Sequence, residues 1–93
     1  MYKIIDSRGS GKTSRLMLIA KEKNAYFVCA NVSAMRYKAE AYGITGIDFV
    51  SYEDYAEKVN LIDSKRGAVI DDLDEFVKYA FKCTLVGYTI SED

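Results

Sequence analysis

Residues 7–13 read Ser7-Arg8-Gly9-Ser10-Gly11-Lys12-Thr13, and this run connects a short apolar stretch at residues 2–5 to a helix-like segment. A strand, a glycine-containing turn and a helix start in this order form a cradle for phosphate groups. The two glycines leave backbone N–H groups accessible because no Cβ stands in the way. The first helical turn adds unpaired N–H donors and the positive end of the helix dipole.

The side chains of this run complete the predicted phosphate site. Lys12 supplies a mobile cation for the outer phosphates, and Thr13 supplies a hydroxyl for Mg²⁺. The pattern G-x-x-x-x-G-K-S/T places a glycine at position 6, where this chain has Asp6, which repels polyphosphate unless it turns away or pairs with Lys12. The alternative interpretation is a Gly/Ser turn with a solvated lysine. The residues predicted to contact a nucleotide are Ser7, Gly9, Ser10, Gly11, Lys12, Thr13 and Ser14.

A second motif, Ala68-Val69-Ile70-Asp71-Asp72, predicts a buried strand whose carboxylates emerge at its C-terminal end. In an open α/β sheet that edge is where ligands bind. Asp71 is therefore predicted to hold the Mg²⁺ of a nucleotide through water. Residues 72–75 also have capping-box spacing, so that Asp72 is alternatively the N-cap of the next helix. Both roles are compatible if the two aspartates point to opposite sides of an extended chain.

Composition limits the remaining possibilities. The chain has 93 residues, which fits a single domain at 1–93, and its net charge is −1, so no general basic field attracts nucleic acid. Histidine is absent, which excludes imidazole metal sites and histidine-based acid–base chemistry. Cys29 and Cys83 lie in apolar runs and are expected to be reduced, buried thiols. With no apolar stretch of membrane length, we expect a cytoplasmic protein without membrane partners.

Hydrophobic periodicity predicts strands and helices in alternation. Five strands are predicted at residues 2–6, 25–30, 47–51, 68–71 and 84–88. The four helices are predicted at Lys12–Lys23, from a cap at Asn31 or Ser33 to Tyr42, from the Ser51 capping box to about Ile62, and from 73 to 81. Such alternation favours an α/β fold: a small open parallel sheet of about five strands with helices on both faces.

The order of these features resembles the additional-strand P-loop NTPases, in particular a truncated first RecA-like motor domain of phage terminase large subunits and superfamily 2 helicases. Residues 7–13 are similar to the family's phosphate loop (Walker A), and Val69-Ile70-Asp71-Asp72 to its Walker B strand. Weaker similarity extends to residues 28–35, 49–55 and 85–90. The resemblance implies the strand order 1-5-4-2-3, ATP or another NTP with Mg²⁺ as ligands, and Arg8 as an arginine acting on the γ-phosphate. Alternatively, Arg8 is a solvated loop residue.

The resemblance also assigns catalytic roles. In the family, the second Walker B acid is a glutamate that activates water, whereas here it is Asp72, which is one methylene shorter and could act through a shifted water. The family's site lies between two domains. We therefore expect a protein partner or a homo-oligomer to complete the site, and slow hydrolysis without it.

Three functional classes remain open. The first is a small nucleotide-binding P-loop protein of phage or prophage type, located in the host cytoplasm if phage-encoded, with slow or partner-dependent NTPase activity. The second is a non-enzymatic phage-type interaction protein or inhibitor, directed at host defence or at a motor. The third is a nucleic-acid-binding module, which receives little support because nearby acids neutralise its basic residues. Those basic residues are Arg36, Lys38, Lys65 and Arg66, and the acids are Glu40, Glu53, Asp54 and Glu57.

Overall fold

The computed structural model describes residues 11–58, 60, 62–63, 65–81, 86–87 and 89, which form an α/β fold. No helix in these ranges combines the length and the hydrophobicity that a bilayer crossing requires. The elements in chain order are α1 (Lys12–Lys23), β1 (Tyr26–Cys29), α2 (Val32–Ala41), β2 (Asp48–Ser51), α3 (Tyr52–Glu57), β3 (Ala68–Ile70) and α4 (Leu73–Phe81).

The three described strands form a parallel sheet in the order β2-β1-β3. In the register, Phe27 of β1 lies opposite Phe49 of β2 and Val69 of β3. All four residues of β1 are buried, as its nearly continuous apolar run predicts for a strand covered on both faces. The predicted placement of strand 25–30 between strands 47–51 and 68–71 is confirmed.

Helices cover both faces of this sheet. On one face, α1 and α2 bury Met17 and Met35 against Phe27 and Cys29, and we call these helices the α1/α2 layer. On the opposite face, α3 and α4 pack against Tyr26 and Val28 and form the α3/α4 layer; their contacting residues include Tyr52, Phe76 and Tyr79. The two layers follow from the alternation of side chains along β1.

The connections create a crevice at the carboxyl ends of the strands. The chain leaves β1 for α2 in one layer and leaves β3 for α4 in the other. Because β1 and β3 are neighbouring strands, the chain segments that follow them diverge to opposite faces of the sheet. The gap between two such segments is where open α/β sheets bind ligands. The N-terminus of α1 lies at the same end, since the C-terminus of α1 feeds directly into the start of β1.

The helix boundaries of the α1/α2 layer agree with the sequence-based predictions. Helix α1 has the predicted bounds, and Asn24 ends it in a left-handed conformation with φ 52°. Of the two predicted caps for α2, Asn31 is the one used, because its side chain accepts the Ala34 N–H at 3.0 Å. Gly43 follows α2 with φ 71°, a conformation that glycine adopts without strain.

The predicted length of the third helix is wrong. Helix α3 begins after the predicted Ser51 cap, whose Oγ accepts the Asp54 N–H at 3.0 Å, but it ends at Glu57 and not near Ile62. Lys58 has non-helical angles of φ −109° and ψ 60°. The Asp63 N–H donates to the Tyr26 hydroxyl at 2.9 Å. The chain after α3 is thus tied to the start of β1.

Two predicted strands concern residues largely outside the described ranges. Strand 2–6 lies entirely outside them. Within strand 84–88, only Val86 and Gly87 are described; neither is in a strand, and Val86 is 97% exposed, so that prediction is wrong at these two positions. Strand propensity of a β-branched residue is expressed only where its side chain has a surface to pack against, and Val86 has none.

Candidate functional site

The structure brings Thr13 and Asp71 together at the carboxyl end of the sheet. The Thr13 side chain, in the first turn of α1, lies close enough to the Asp71 carboxylate to help lower its pKa. The positive charges of Lys12 and Lys38 act on the same carboxylate. The described part of the predicted phosphate loop and the predicted Walker B acid therefore face one site.

The backbone of β3 explains why Asp71 points toward α1. Val69 packs in the α1/α2 layer and Ile70 in the α3/α4 layer, so alternation returns Asp71 to the α1/α2 side. The Asp71 N–H donates to Val28 O at 2.9 Å and extends the strand pairing by one residue. The position of this carboxylate is thus set by the sheet rather than by a mobile loop.

The Asp71 carboxylate lies in an environment that disfavours its charge. Burial raises its pKa above the ordinary aspartate value, and the negative charge of Asp72 raises it further. The charges of Lys38 and Lys12 and the Thr13 hydroxyl oppose this rise. A divalent cation beside Asp71 would stabilise the ionised form more strongly than these lysines do.

The N-terminus of α1 has the features of an anion seat. Its N-cap is Gly11, with φ 82°, a left-handed conformation that favours glycine, and a glycine offers no side chain to cap the first N–H groups. The first turn contains no acidic residue and instead begins with Lys12, which is the reverse of the usual preference at the positive end of a helix. Ser14, predicted to contact the nucleotide, donates its hydroxyl to Gly11 O at 2.9 Å.

Asp72 is the N-cap of α4, as the alternative interpretation of the sequence proposed. Its Oδ1 accepts the Glu75 N–H at 3.3 Å. Its φ of 59° is left-handed, so the expectation of an extended Asp71-Asp72 pair is wrong: the backbone turns at Asp72 between the end of β3 and the start of α4. A role for Asp72 in activating water stays a prediction, and its carboxylate would have to combine that role with capping.

Sequence reasoning missed Tyr52, the first residue of α3. Its side chain is buried, and its hydroxyl donates to Asp71 O at 2.6 Å and lies 3.2 Å from Asp72 O. Its ring contacts Phe76 edge-on, with the ring centroids 5.2 Å apart. Burial and the charges of Asp72 and Asp71 raise the pKa of Tyr52, so the hydroxyl keeps its proton and donates. A tyrosine directly after a capping serine was the only sequence signal.

The donor set fits a Mg²⁺ ion that is bound together with a nucleotide. No group of three or more acidic or cysteine side chains in the described ranges could hold a metal by itself. Magnesium commonly uses one or two protein oxygens, several waters and substrate phosphates. Thr13 and Asp71 would supply the protein oxygens here. The predicted site residues Ser7, Arg8, Gly9 and Ser10 lie outside the described ranges.

A shallow groove of about 460 Å³ lies beside this site, on the α3/α4 side of the Asp71-Asp72 turn. Its lining residues are Ala30, Ser51, Tyr52, Glu53, Glu75, Lys78 and Tyr79. It contains none of the predicted phosphate-loop residues, and its two glutamates disfavour a polyphosphate. A phosphate site at the α1 end of the crevice would therefore be separate from this groove.

Cys29 closes the floor of the crevice at the end of β1. Burial raises the pKa of its thiol to about 11, and the nearby Asp71 charge adds to the rise. The thiol is completely buried and stays protonated at neutral pH. This agrees with the expectation of a reduced, buried cysteine and excludes Cys29 as a nucleophile.

Comparisons of the chain with protein-family models, with curated proteins and with solved structures give no match. A functional interpretation therefore has to come from the site itself.

Proposed function

We propose that the protein binds ATP or another nucleoside triphosphate together with Mg²⁺ at the crevice between β1 and β3. The observation that carries this proposal is the meeting of Lys12, Thr13 and Asp71 at one site. Asp71 lies 58 positions after Thr13 in sequence, yet the three residues combine a cation for phosphate, a hydroxyl and a carboxylate for magnesium, and a helix N-terminus.

Each residue has a defined role in this proposal. The N–H groups after Gly11 and the Lys12 ammonium bind the outer phosphates, and Thr13 and Asp71 hold the metal directly and through water. Magnesium, when bound, neutralises charge on the phosphates. Arg8 is proposed to contact the γ-phosphate from the preceding loop. The neighbouring order of the three described strands supports assignment to the P-loop NTPase-like folds.

Hydrolysis is proposed to be slow or to depend on a protein partner. The Asp72 carboxylate caps α4, and Glu75, three residues further along, pairs with Lys78 at 3.4 Å. Both carboxylates therefore already have partners within α4. The same observation favours the second candidate function, an interaction protein that keeps the fold and acts without turnover.

Nucleotide binding is tested by calorimetry and thermal unfolding with a non-hydrolysable ATP analogue, in the presence and absence of Mg²⁺. Ligand at about 100 times its Kd should stabilise the protein by about 2.7 kcal/mol. Lys12→Ala should abolish this gain, whereas Lys21→Ala, at the opposite end of α1, should keep it. If the wild-type protein shows no Mg²⁺-dependent gain at millimolar analogue, the proposal is wrong and the non-enzymatic class is left.

A further inference from the structure

The two helical layers carry opposite charge. In α1 and α2 six of the eight charged side chains are basic: Lys12, Arg15, Lys21, Lys23, Arg36 and Lys38. In α3 and α4 five of the six charged side chains are acidic: Glu53, Asp54, Glu57, Asp74 and Glu75. The positive excess of one layer and the negative excess of the other nearly cancel, so the overall net charge of −1 does not reveal this separation. The sheet lies between the two layers.

Local ion pairs do not cancel the acidic excess. Lys58 pairs with Asp54 at 3.0 Å, and Lys78 pairs with Glu75 at 3.4 Å, both within the α3/α4 layer. Acidic residues outside these two pairs remain on its surface, namely Glu53, Glu57 and Asp74. The layer as a whole is therefore negative.

Both layers also expose large apolar side chains. The α1/α2 layer exposes Leu18 and Tyr37, the latter at 74%. The α3/α4 layer exposes Leu73 and Phe81, the latter at 59%. In a complex, these side chains would add apolar contact area, while the surrounding charges would select the partner.

We propose that the α1/α2 layer of one protein molecule docks on the α3/α4 layer of a second copy. Charge complementarity favours this occupant, since the opposite layer of the same chain carries the complementary charge. The two surfaces differ, so the contact is heterologous: copies stack head to tail and form a ring or an open chain. Because the charges are exposed, the association should be weak and sensitive to salt.

The inference is tested by sedimentation of the full chain over a range of concentrations, at about 0.05 M and about 0.5 M salt. Self-association at low salt should weaken about ten-fold or more at high salt. Neutralising the basic layer with Lys21→Glu and Arg36→Glu, or the acidic layer with Glu53→Lys and Asp74→Lys, should abolish it. Combining all four substitutions leaves both layers without net charge at unchanged total charge, so it should not restore self-association.

A matched control separates the layers from total charge. Glu22→Lys with Glu40→Lys changes the net charge as much as Glu53→Lys with Asp74→Lys does, but it makes the basic layer more basic. It should tighten self-association while the other pair weakens it. Circular dichroism of each variant verifies the fold.

Three outcomes would overturn the proposal. The first is a wild-type protein that stays monomeric at low salt up to about millimolar concentration. The second is an equal effect of the two charge-matched pairs. The third is an oligonucleotide that binds the wild type and not the Lys21→Glu, Arg36→Glu variant while self-association is unaffected, which would assign the basic layer to nucleic acid.

Discussion

Replacing Tyr52 by phenylalanine removes one hydroxyl and leaves the ring in place. The ring contacts with Phe76 and Tyr79, at 5.2 and 6.2 Å between centroids, do not need the hydroxyl. What is lost is the 2.6 Å hydrogen bond to Asp71 O and the 3.2 Å contact with Asp72 O. A hydrogen bond contributes about 1 kcal/mol net, and a carbonyl left without a partner adds to the cost. We expect a loss of about 2 kcal/mol.

Urea unfolding followed by circular dichroism measures this loss, and equal m-values in both proteins would show that the same surface is exposed. For a chain of this size about 2 kcal/mol corresponds to a fall in Tm of about 8–16 °C. Tyr55→Phe is the matched control, since Tyr55 packs in the same cluster one turn along α3, and its change should be much smaller. A Tyr52→Phe protein within about 0.5 kcal/mol of wild type would refute the reasoning.

Three further predictions concern stability and reactivity. Asp72→Ala should cost about 2 kcal/mol, because it removes a helix cap and places alanine at φ 59°, whereas Asp72→Gly should cost about half as much in denaturant unfolding. Arg66→Lys should lower the Tm, because lysine cannot both stack on the Tyr26 ring, 4.0 Å from the guanidinium, and keep the fork of hydrogen bonds. In a Cys83→Ser background, Cys29 should react with thiol reagents only after unfolding. Burial raises the pKa of the folded thiol to about 11 from 9.0. The stability that this pKa difference contributes is therefore complete below pH 9 and is lost as the pH rises toward 11.

Local sequence signals were sufficient for the α1/α2 layer. The bounds of α1, the Asn31 cap and the glycine after α2 could be predicted because they depend on residues within one or two turns of each other. The order of the described strands could be predicted by family resemblance. The approach of Asp71 to Thr13 followed from the same reasoning, since a strand edge and a helix start at that edge must meet.

Contacts between distant segments were not predictable in this way. Helix α3 ends at Glu57, and further along the chain the Asp63 N–H donates to the hydroxyl of Tyr26, which is 37 residues away. Tyr52 reaches Asp71 and Asp72 across the sheet edge, and nothing near it in the sequence marks that role. A capping box fixes where a helix begins, whereas tertiary contacts decide where it ends and which side chains cross between elements.

Two features of the site are unfavourable in the absence of a ligand, and their combination predicts how metal and nucleotide depend on each other. Lys12 stands at the positive end of α1, and Asp71 is held where burial and Asp72 oppose its charge. Each partly compensates the other, because Lys12 lowers the pKa of Asp71. A phosphate that draws Lys12 away without bringing a metal leaves Asp71 beside a second anion, which costs binding energy.

Magnesium removes this conflict by standing between the carboxylate and the phosphates. Asp71→Asn removes the charge and should therefore act in opposite directions: metal-free nucleotide should bind more tightly than to wild type, and the gain in affinity on adding Mg²⁺ should shrink about ten-fold or more. Calorimetric titration of a nucleotide analogue with and without Mg²⁺ measures both changes. If Asp71→Asn weakened metal-free and metal-bound nucleotide equally, Asp71 would be acting only through the local structure, and its assignment as a metal ligand would fail.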